Sequence, residues 1–262
     1  MKTDATPTSK RLRILLTNDD GVQAPGLAVL ERVARSLTDD VWIAAPETEQ
    51  SGASHSLTLQ RPLRLRRLDD RRFAIDGTPT DCVMLAVNHI LADHKPDLVL
   101  SGVNFGSNIG DDVTYSGTIA AAMEATLLGA RAIALSQHIT DPIPHSSWAA
   151  TEGWAAQTIS RILATPWAPQ VLMNVNFPAC AAEDVRGVQV VRHGQRKIGD
   201  ELIHRVDPRG KSYFWIGPLR GGDQEQPDTD IAAIQNGFIS ITPLHLNLTH
   251  TATVQSLRQA FQ

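Results

Sequence analysis

The chain has 262 residues, 42% of them hydrophobic and 20% charged, with a formal net charge of −4. That length can bury a sizeable core in one large domain, or one domain with an appendage, and a mildly acidic balance (sequence pI about 6.1) argues against a nucleic-acid polymer as the main partner. No uninterrupted apolar run approaches the ~20 residues that span a bilayer, and two cysteines far apart, Cys82 and Cys180, fit free thiols in a reducing, cytoplasmic compartment.

Met1 to Lys10 is polar throughout and reads as a frayed tail rather than a secretory signal. Arg13 to Leu16 reads as a short strand buried on both faces. It stops at Asn18-Asp19-Asp20-Gly21, and Pro25 then suits the first turn of a helix running to about Leu37. Adjacent carboxylates raise each other's pKa, and a bound cation removes that electrostatic cost. The same four residue types also suit a plain turn. Val41 to Ala45 is a second strand, followed by a polar loop of small residues from Glu47 to Ser56, the kind of segment in which α/β proteins keep function.

Leu57 to Leu68 alternates as a strand should, and its six arginines between Arg61 and Arg72 suggest a solvated strand face. Phe73 to Ile75 is another strand; Thr78-Pro79-Thr80-Asp81 then has the form of a helix start, with the helix reaching about Leu91. The strand Asp97 to Leu100 leads into a glycine-rich loop whose glycines, Gly102, Gly106 and Gly110, are four apart, not in dinucleotide-binding spacing. That loop turns into a helix at Ser116-Gly117-Thr118, where free N–H groups, hydroxyls and the helix dipole suit a phosphate, or where simple capping is enough.

A strand at Ala132 to Ser136, a helix at Ser147 to Leu163 carrying Trp148 and Trp154, and a strand at Val171 to Val175 complete the alternation. Such alternation specifies a mostly parallel sheet covered by helices on both faces. Beyond Pro178 the pattern changes: a strand at Val185 to Arg192, a long hairpin between Gln195 and Gly222 carrying Tyr213-Phe214-Trp215, a short helix at Asp228 to Gln235, a strand at Phe238 to Thr242 and a terminal helix at Thr251 to Phe261. Exposed aromatics on an arm point to a partner subunit.

Three loops that follow strands should gather at one edge of the sheet, carrying Asp19 and Asp20, the serines from Ser51, and Asn104 with Ser116 to Thr118. Their donors are hard oxygens, which favour Mg²⁺, Mn²⁺ or Ca²⁺. A metal beside a phosphate points to phosphoester hydrolysis; the lysine loop of ATPases is absent. His55 and Glu124 read as surface residues, and Asp111-Asp112 as charges compensating a helix dipole. A nucleotide-binding sensor and an oxidoreductase on the same fold are the competing classes; the need for a hard metal argues against the first and the glycine spacing against the second.

The segments ILLTNDDGVQAPG, APETEQSGASHSLTL, DGTPTDCV, PDLVLSGVNFGSNIGDDVTYSGTIAAAMEA, NVNFP and ISITPLHLNLT resemble, in order and over nearly the whole chain, the signature blocks of the SurE family of stationary-phase survival proteins. The resemblance implies a three-layer α/β/α, Rossmann-like catalytic domain over residues 11–184 and a carboxy-terminal extension over 185–262 whose β-hairpin arm builds a homodimer or homotetramer. It implies release of phosphate from nucleoside 5′-monophosphates, and also from 3′-monophosphates and short polyphosphate, with one divalent cation per subunit, Mn²⁺ or Mg²⁺. Carried over by motif, the metal ligands are Asp19, Asp20, Ser51 and Asn104. Asn18, Ser116, Gly117 and Thr118 lie around the phosphate, and a water activated by the metal or by Asp19 attacks in line. His245 either approaches the site or holds an interface.

Overall fold

The computed structural model describes residues 12–140, 148–195, 202–216 and 226–262. The expected tail at Met1 to Lys10, the helix start at Ser147 and residues 196–201 and 217–222 of the expected hairpin lie outside the described residues.

The strands in chain order are β1 (Ile14–Thr17), β2 (Val41–Pro46), β3 (Leu65–Asp69), β4 (Arg72–Ile75), β5 (Leu98–Phe105), β6 (Arg131–Gln137), β7 (Val171–Phe177) and β8 (Val188–Val190). Helices separate β1 from β2, β4 from β5, β5 from β6 and β6 from β7, as the sequence implies, whereas β2, β3 and β4 follow one another with no helix between. Two further strands, β9 (Leu202–Val206) and β10 (Ser212–Ile216), form a separate antiparallel hairpin, and β11 (Ile239–His245) returns to the main sheet. The sheet has nine strands in the order β3-β4-β2-β1-β5-β6-β7-β11-β8. The run from β4 to β7 is parallel, whereas β3 and β11 are antiparallel to their neighbours β4 and β7.

Four helices cover this sheet: α1 (Pro25–Leu37), α2 (Pro79–Leu85, continued by a π turn to Ile90), α3 (Gly117–Leu127) and α4 (Ala149–Leu163). The sheet separates two apolar clusters. One joins α1 and α4 to Ile14, Leu16, Leu100 and Val175. The other joins α2 and α3 to Leu15, Val99, Ala132 and Leu172. Strand residues whose neighbours alternate between the clusters are buried on both faces, which is why β1 and β5 read as continuous apolar runs. α1 turns Leu27, Leu30, Val33 and Ala34 inward and keeps Glu31 and Arg35 as an i,i+4 pair outside. α2 starts on a capping box, with Thr78 Oγ1 accepting from Asp81 N and Asp81 Oδ2 accepting from Thr78 N.

Two expectations need correction. Only residues 65–69 of the expected Leu57–Leu68 strand are extended and paired. Pro62 cannot donate to a ladder, and Thr58 instead spends its N–H and hydroxyl on Asp81 (3.1 and 2.6 Å). Glu124 is not a free surface charge: it accepts from His55 Nε2 at 3.0 Å and its side chain is only 13% exposed. The arginine-rich stretch is a solvated face laced with pairs, Arg61 to Asp76, Arg66 to Glu47 and Arg72 to Glu31. Cys82 is buried, Cys180 half-buried, and both are free thiols. Past β11, the terminal helix α6 (Thr251–Ala260) buries no residue, while α5 (Asp230–Gln235) is largely buried. Among the described residues no helix is long and apolar enough to cross a membrane.

Candidate active site

β1 has β2 on one side and β5 on the other, so the chain leaves the sheet in opposite directions from these two adjacent strands. A crevice opens at the carboxyl ends of such a pair. Register places Thr17 opposite Ser101, which brings the Asn18-Asp19-Asp20 turn beside the end of β5. The contact is direct: Asp20 accepts the Phe105 N–H. The loop after β2 closes from another side, where Gln50 N donates to Asp19 O at 2.8 Å.

The amino end of α3 meets Asp19 more closely still. Thr118 Oγ1 donates to Asp19 Oδ1 at 2.5 Å, and the Thr118 N–H also bonds this carboxylate. A Cβ on Gly117 would lie 2.8 Å from Asp19 Cβ and 3.1 Å from Pro79 Cγ, so only glycine permits this approach. Ser116 caps α3 by accepting from Ile119 N at 3.1 Å. Thr118 therefore serves the carboxylate and Ser116 Oγ serves the cap. The Gly117 N–H and the Ser116 hydroxyl hydrogen are the donors that these bonds leave over.

The two asparagines are set alike. Asn18 Nδ2 donates to Gly21 O (2.9 Å) and Asn104 Nδ2 to Gly106 O (2.8 Å). Gly21, at φ +105°, supplies the left-handed turn that places its carbonyl for this bond. In both asparagines one amide hydrogen is engaged in this way, which leaves Oδ1 facing away from that carbonyl. Asn18 Oδ1 is buried with no hydrogen-bond partner, an arrangement that native structures rarely leave unexplained.

Electrostatically the site is short of positive charge. Asp19 is 4% exposed. Burial raises its pKa, against the opposing bonds from Thr118. Asp20 is pushed up to about 7, first by burial and then by the Asp19 charge. Glu49 adds to the repulsion on both. Among the described residues no Lys, Arg or His side chain pairs with either aspartate.

The family described as Survival protein SurE matches residues 14–200. The chain belongs to the SurE family. It is 57% identical to the 5′-nucleotidase SurE of Paramagnetospirillum magneticum over 98% of each chain. It is 54% identical to the 5′-nucleotidase SurE of Rhodospirillum rubrum, over 96% of this chain and 97% of the relative. The crystal structure of the SurE protein from Aquifex aeolicus superposes with a TM-score of 0.83 at 36% identity, covering 95% of this chain and all of that one.

Within this SurE chain the remaining predicted residues separate. Ser51 is exposed and donates to Oε1 of Glu49, at 2.9 Å, the carboxylate whose charge acts on both aspartates. His55 fastens the serine loop to α3 through Glu124. His245 is opposite Val171, at the end of β7 remote from Phe177, so it lies at the other edge of the sheet from the Asp19 crevice. Asp111 and Asp112 fall in the first turn of a 3₁₀ segment, Gly110–Thr114.

Sequence reading missed Glu49 and the polar support beneath the loop after β5. Asn108 O accepts from Asn174 Nδ2 (2.8 Å) and Asn176 Nδ2 (3.1 Å), and Asn108 Nδ2 donates to Ser136 Oγ at 2.8 Å. The asparagines at alternate positions of β7 were the available signal, since polar side chains at i and i+2 of a buried strand need partners. An apolar groove of about 700 Å³, lined by Trp154, Ile162, Met173 and Pro243, contains none of these residues.

Proposed function

We propose that the chain is a divalent-metal-dependent 5′-nucleotidase that releases phosphate from nucleoside 5′-monophosphates. The observation that carries this reading is the meeting of Asp19, Asp20 and the end of β5 with the amino end of α3. Carboxylate and amide oxygens lie there next to helix-start donors, the pairing that a cation beside a phosphoryl group requires.

The residues present fit a hard divalent ion. Burial raises the pKa of both Asp19 and half-buried Asp20, the Asp19 charge raises Asp20 further, no cationic side chain among the described residues offsets them, and a buried amide oxygen of Asn18 waits without a donor. Asp19, Asp20 and Asn104 Oδ1 would hold Mn²⁺ or Mg²⁺, and Ser51 Oγ, whose hydrogen goes to Glu49, keeps its lone pairs for the same ion. When bound, the ion supplies neutralising charge and Lewis-acid polarisation of a P–O bond.

The chain's own residues do the rest. The Ser116 hydroxyl and Gly117 N–H receive phosphoryl oxygens at the positive end of α3. Thr118 fixes the Asp19 carboxylate, which accepts a proton from water attacking phosphorus in line. The P–O bond to the nucleoside breaks, and its 5′-oxygen leaves and is protonated. All of these groups address the phosphoryl moiety and none the base, so the reading extends to 3′-monophosphates and short polyphosphate. Residues 11–184 then carry the chemistry, 185–262 form the extension whose hairpin joins subunits, and the compartment is the cytoplasm.

Asp19→Asn, assayed for phosphate release from AMP with Mn²⁺, should lose activity on the order of 100-fold or more, the usual contribution of a positioned base. Activity near wild type would remove Asp19 from its central place. Chelation should abolish turnover in the unaltered protein, and added Mn²⁺ should restore it.

A further inference from the structure

We propose that Asp230 and His193 are positioning residues for the phosphoryl site: they clamp Gly110 and thereby fix the segment that ends in Ser116. The proposal rests on the reading of Ser116 and Gly117 as the phosphoryl cradle.

Asp230 is fully buried at the start of α5 (0% exposed). Its Oδ2 accepts from Gly110 N at 3.0 Å, and its Oδ1 accepts from Gly194 N (2.8 Å) and Ile231 N (2.9 Å). His193 Nε2 donates to the carbonyl of the same Gly110 at 2.7 Å, which places its proton on Nε2. Both backbone groups of Gly110 are thus held by residues more than 80 positions away in the sequence. Among the described residues no cationic side chain pairs with Asp230. Its charge is met by backbone N–H groups, bonds stronger than neutral ones.

Gly110 opens the 3₁₀ segment that runs to Thr114, and Ser116 follows two residues later, after Tyr115. The same short stretch carries the serine loop: Thr114 O accepts from Ser54 Oγ (2.8 Å) and Tyr115 O from Ser54 N (3.2 Å). A shift at Gly110 therefore moves the phosphoryl cradle and that loop together. Asp20 is tied to Phe105, ahead of the clamped stretch, and Asp19 to Thr118, two residues further along than Ser116. The clamp should govern phosphate more than metal.

The clamp is built from the two roots of the exposed hairpin. Residues 192–194 enter it and residues 226–230 leave it, joined by Arg192 N to Asp228 O (3.1 Å) and Asp230 N to Arg192 O (3.0 Å). The part of the chain that carries the arm is thus fastened to the loop that completes the site.

The test compares full-length wild type with Asp230→Asn, His193→Ala and, as a control, Asp228→Asn, which alters only an exposed pair with Arg192. Three quantities are read: amide exchange over residues 110–116, inhibition by inorganic phosphate together with KM for AMP, and Mn²⁺ affinity. In Asp230→Asn, exchange over that segment should quicken. The phosphate inhibition constant and KM should rise about tenfold, the size expected when a buried N–H loses its acceptor. Mn²⁺ affinity should stay at the wild-type value, and Asp228→Asn should match wild type throughout. Unchanged exchange and unchanged phosphate inhibition in Asp230→Asn overturn the proposal. So does a loss of Mn²⁺ affinity equal to the loss for phosphate, because that is general loosening. If Asp230→Asn does not fold, His193→Ala is judged by the same criteria, with a smaller effect in the same pattern expected. A wild-type protein that does not hydrolyse AMP at all defeats the nucleotidase reading, while amide exchange still decides the clamp.

Discussion

Asp20 is the residue at which the electrostatics of the site become measurable. Its pKa of about 7 in the metal-free chain, against 3.8 for a free side chain, comes from burial and from the neighbouring Asp19 charge. A carboxyl whose pKa is higher folded than unfolded binds its proton more tightly in the folded state. Its stabilising contribution is therefore complete below about pH 4 and is lost as pH rises through 7. Asp19 is raised as well and adds in the same sense. Asp40, where burial is outweighed by the bonds from Arg13 and Trp42 together with the Arg13 and Arg71 charges, is lowered, so its window lies in acid and does not interfere. The expected outcome is that in chelator the urea midpoint is lower at pH 8 than at pH 6. Saturating Mn²⁺, which needs the ionised pair, should stabilise more at pH 8 than at pH 6. Asp20→Asn should flatten both trends relative to wild type. A chelated wild-type midpoint that rises from pH 6 to pH 8 by more than in Asp20→Asn would show that the pair is not strained in the way described.

At the scale of elements, the start of α3 combines two jobs that substitution can separate. Ser116 Oγ caps the helix by accepting from Ile119 N, and its hydroxyl hydrogen is assigned here to the phosphoryl group. Ser116→Ala removes both. The lost cap should cost about 1 kcal/mol, and the melting temperature should fall by ~2–4 °C for a chain of this size. Ser116→Asp keeps a capping oxygen and suits the helix dipole, so stability should return while phosphate is repelled. Thermal melts beside phosphate inhibition check this, and the idea fails if Ser116→Asp binds phosphate better than Ser116→Ala does. The sequence displayed the start of α3 plainly, because Ser-Gly-Thr before an Ala-rich run is a capping pattern. What it could not display is that Thr118 faces Asp19, 99 residues earlier. Sequence spacing carries no distance between loops that only the sheet brings together. Glu124 was opaque for the same reason: its partner, His55, is on another loop.

For the whole molecule, the parallel core was legible because strands buried on both faces are continuous apolar runs and helices between them are amphipathic, as β1 and α1 show. The far half of the sheet was not. β8 is only three residues long, and the composition of β11 does not say which neighbour it joins or in which direction; β11 inserts between β7 and β8. That insertion is also what carries His245 to the edge opposite the aspartates. The hairpin arm was legible as an arm but not in what it meets. Among the described residues β9 and β10 pair only with each other, and a two-stranded ribbon in water is marginally stable alone. Yet Phe214, Trp215 and Ile216 are 62%, 64% and 74% exposed along it. Burial of that surface by a second copy would both steady the ribbon and remove the apolar patch from water. The double substitution Phe214→Ser with Trp215→Ser should lower the assembled mass in sedimentation at micromolar chain concentration. Turnover per chain on AMP should persist, because the contacts that hold Asp19, Thr118 and Gly110 are all internal to one chain. An unchanged assembly in the double variant would place the subunit interface elsewhere. Loss of turnover in step with loss of mass would show that a neighbouring copy helps to complete the site.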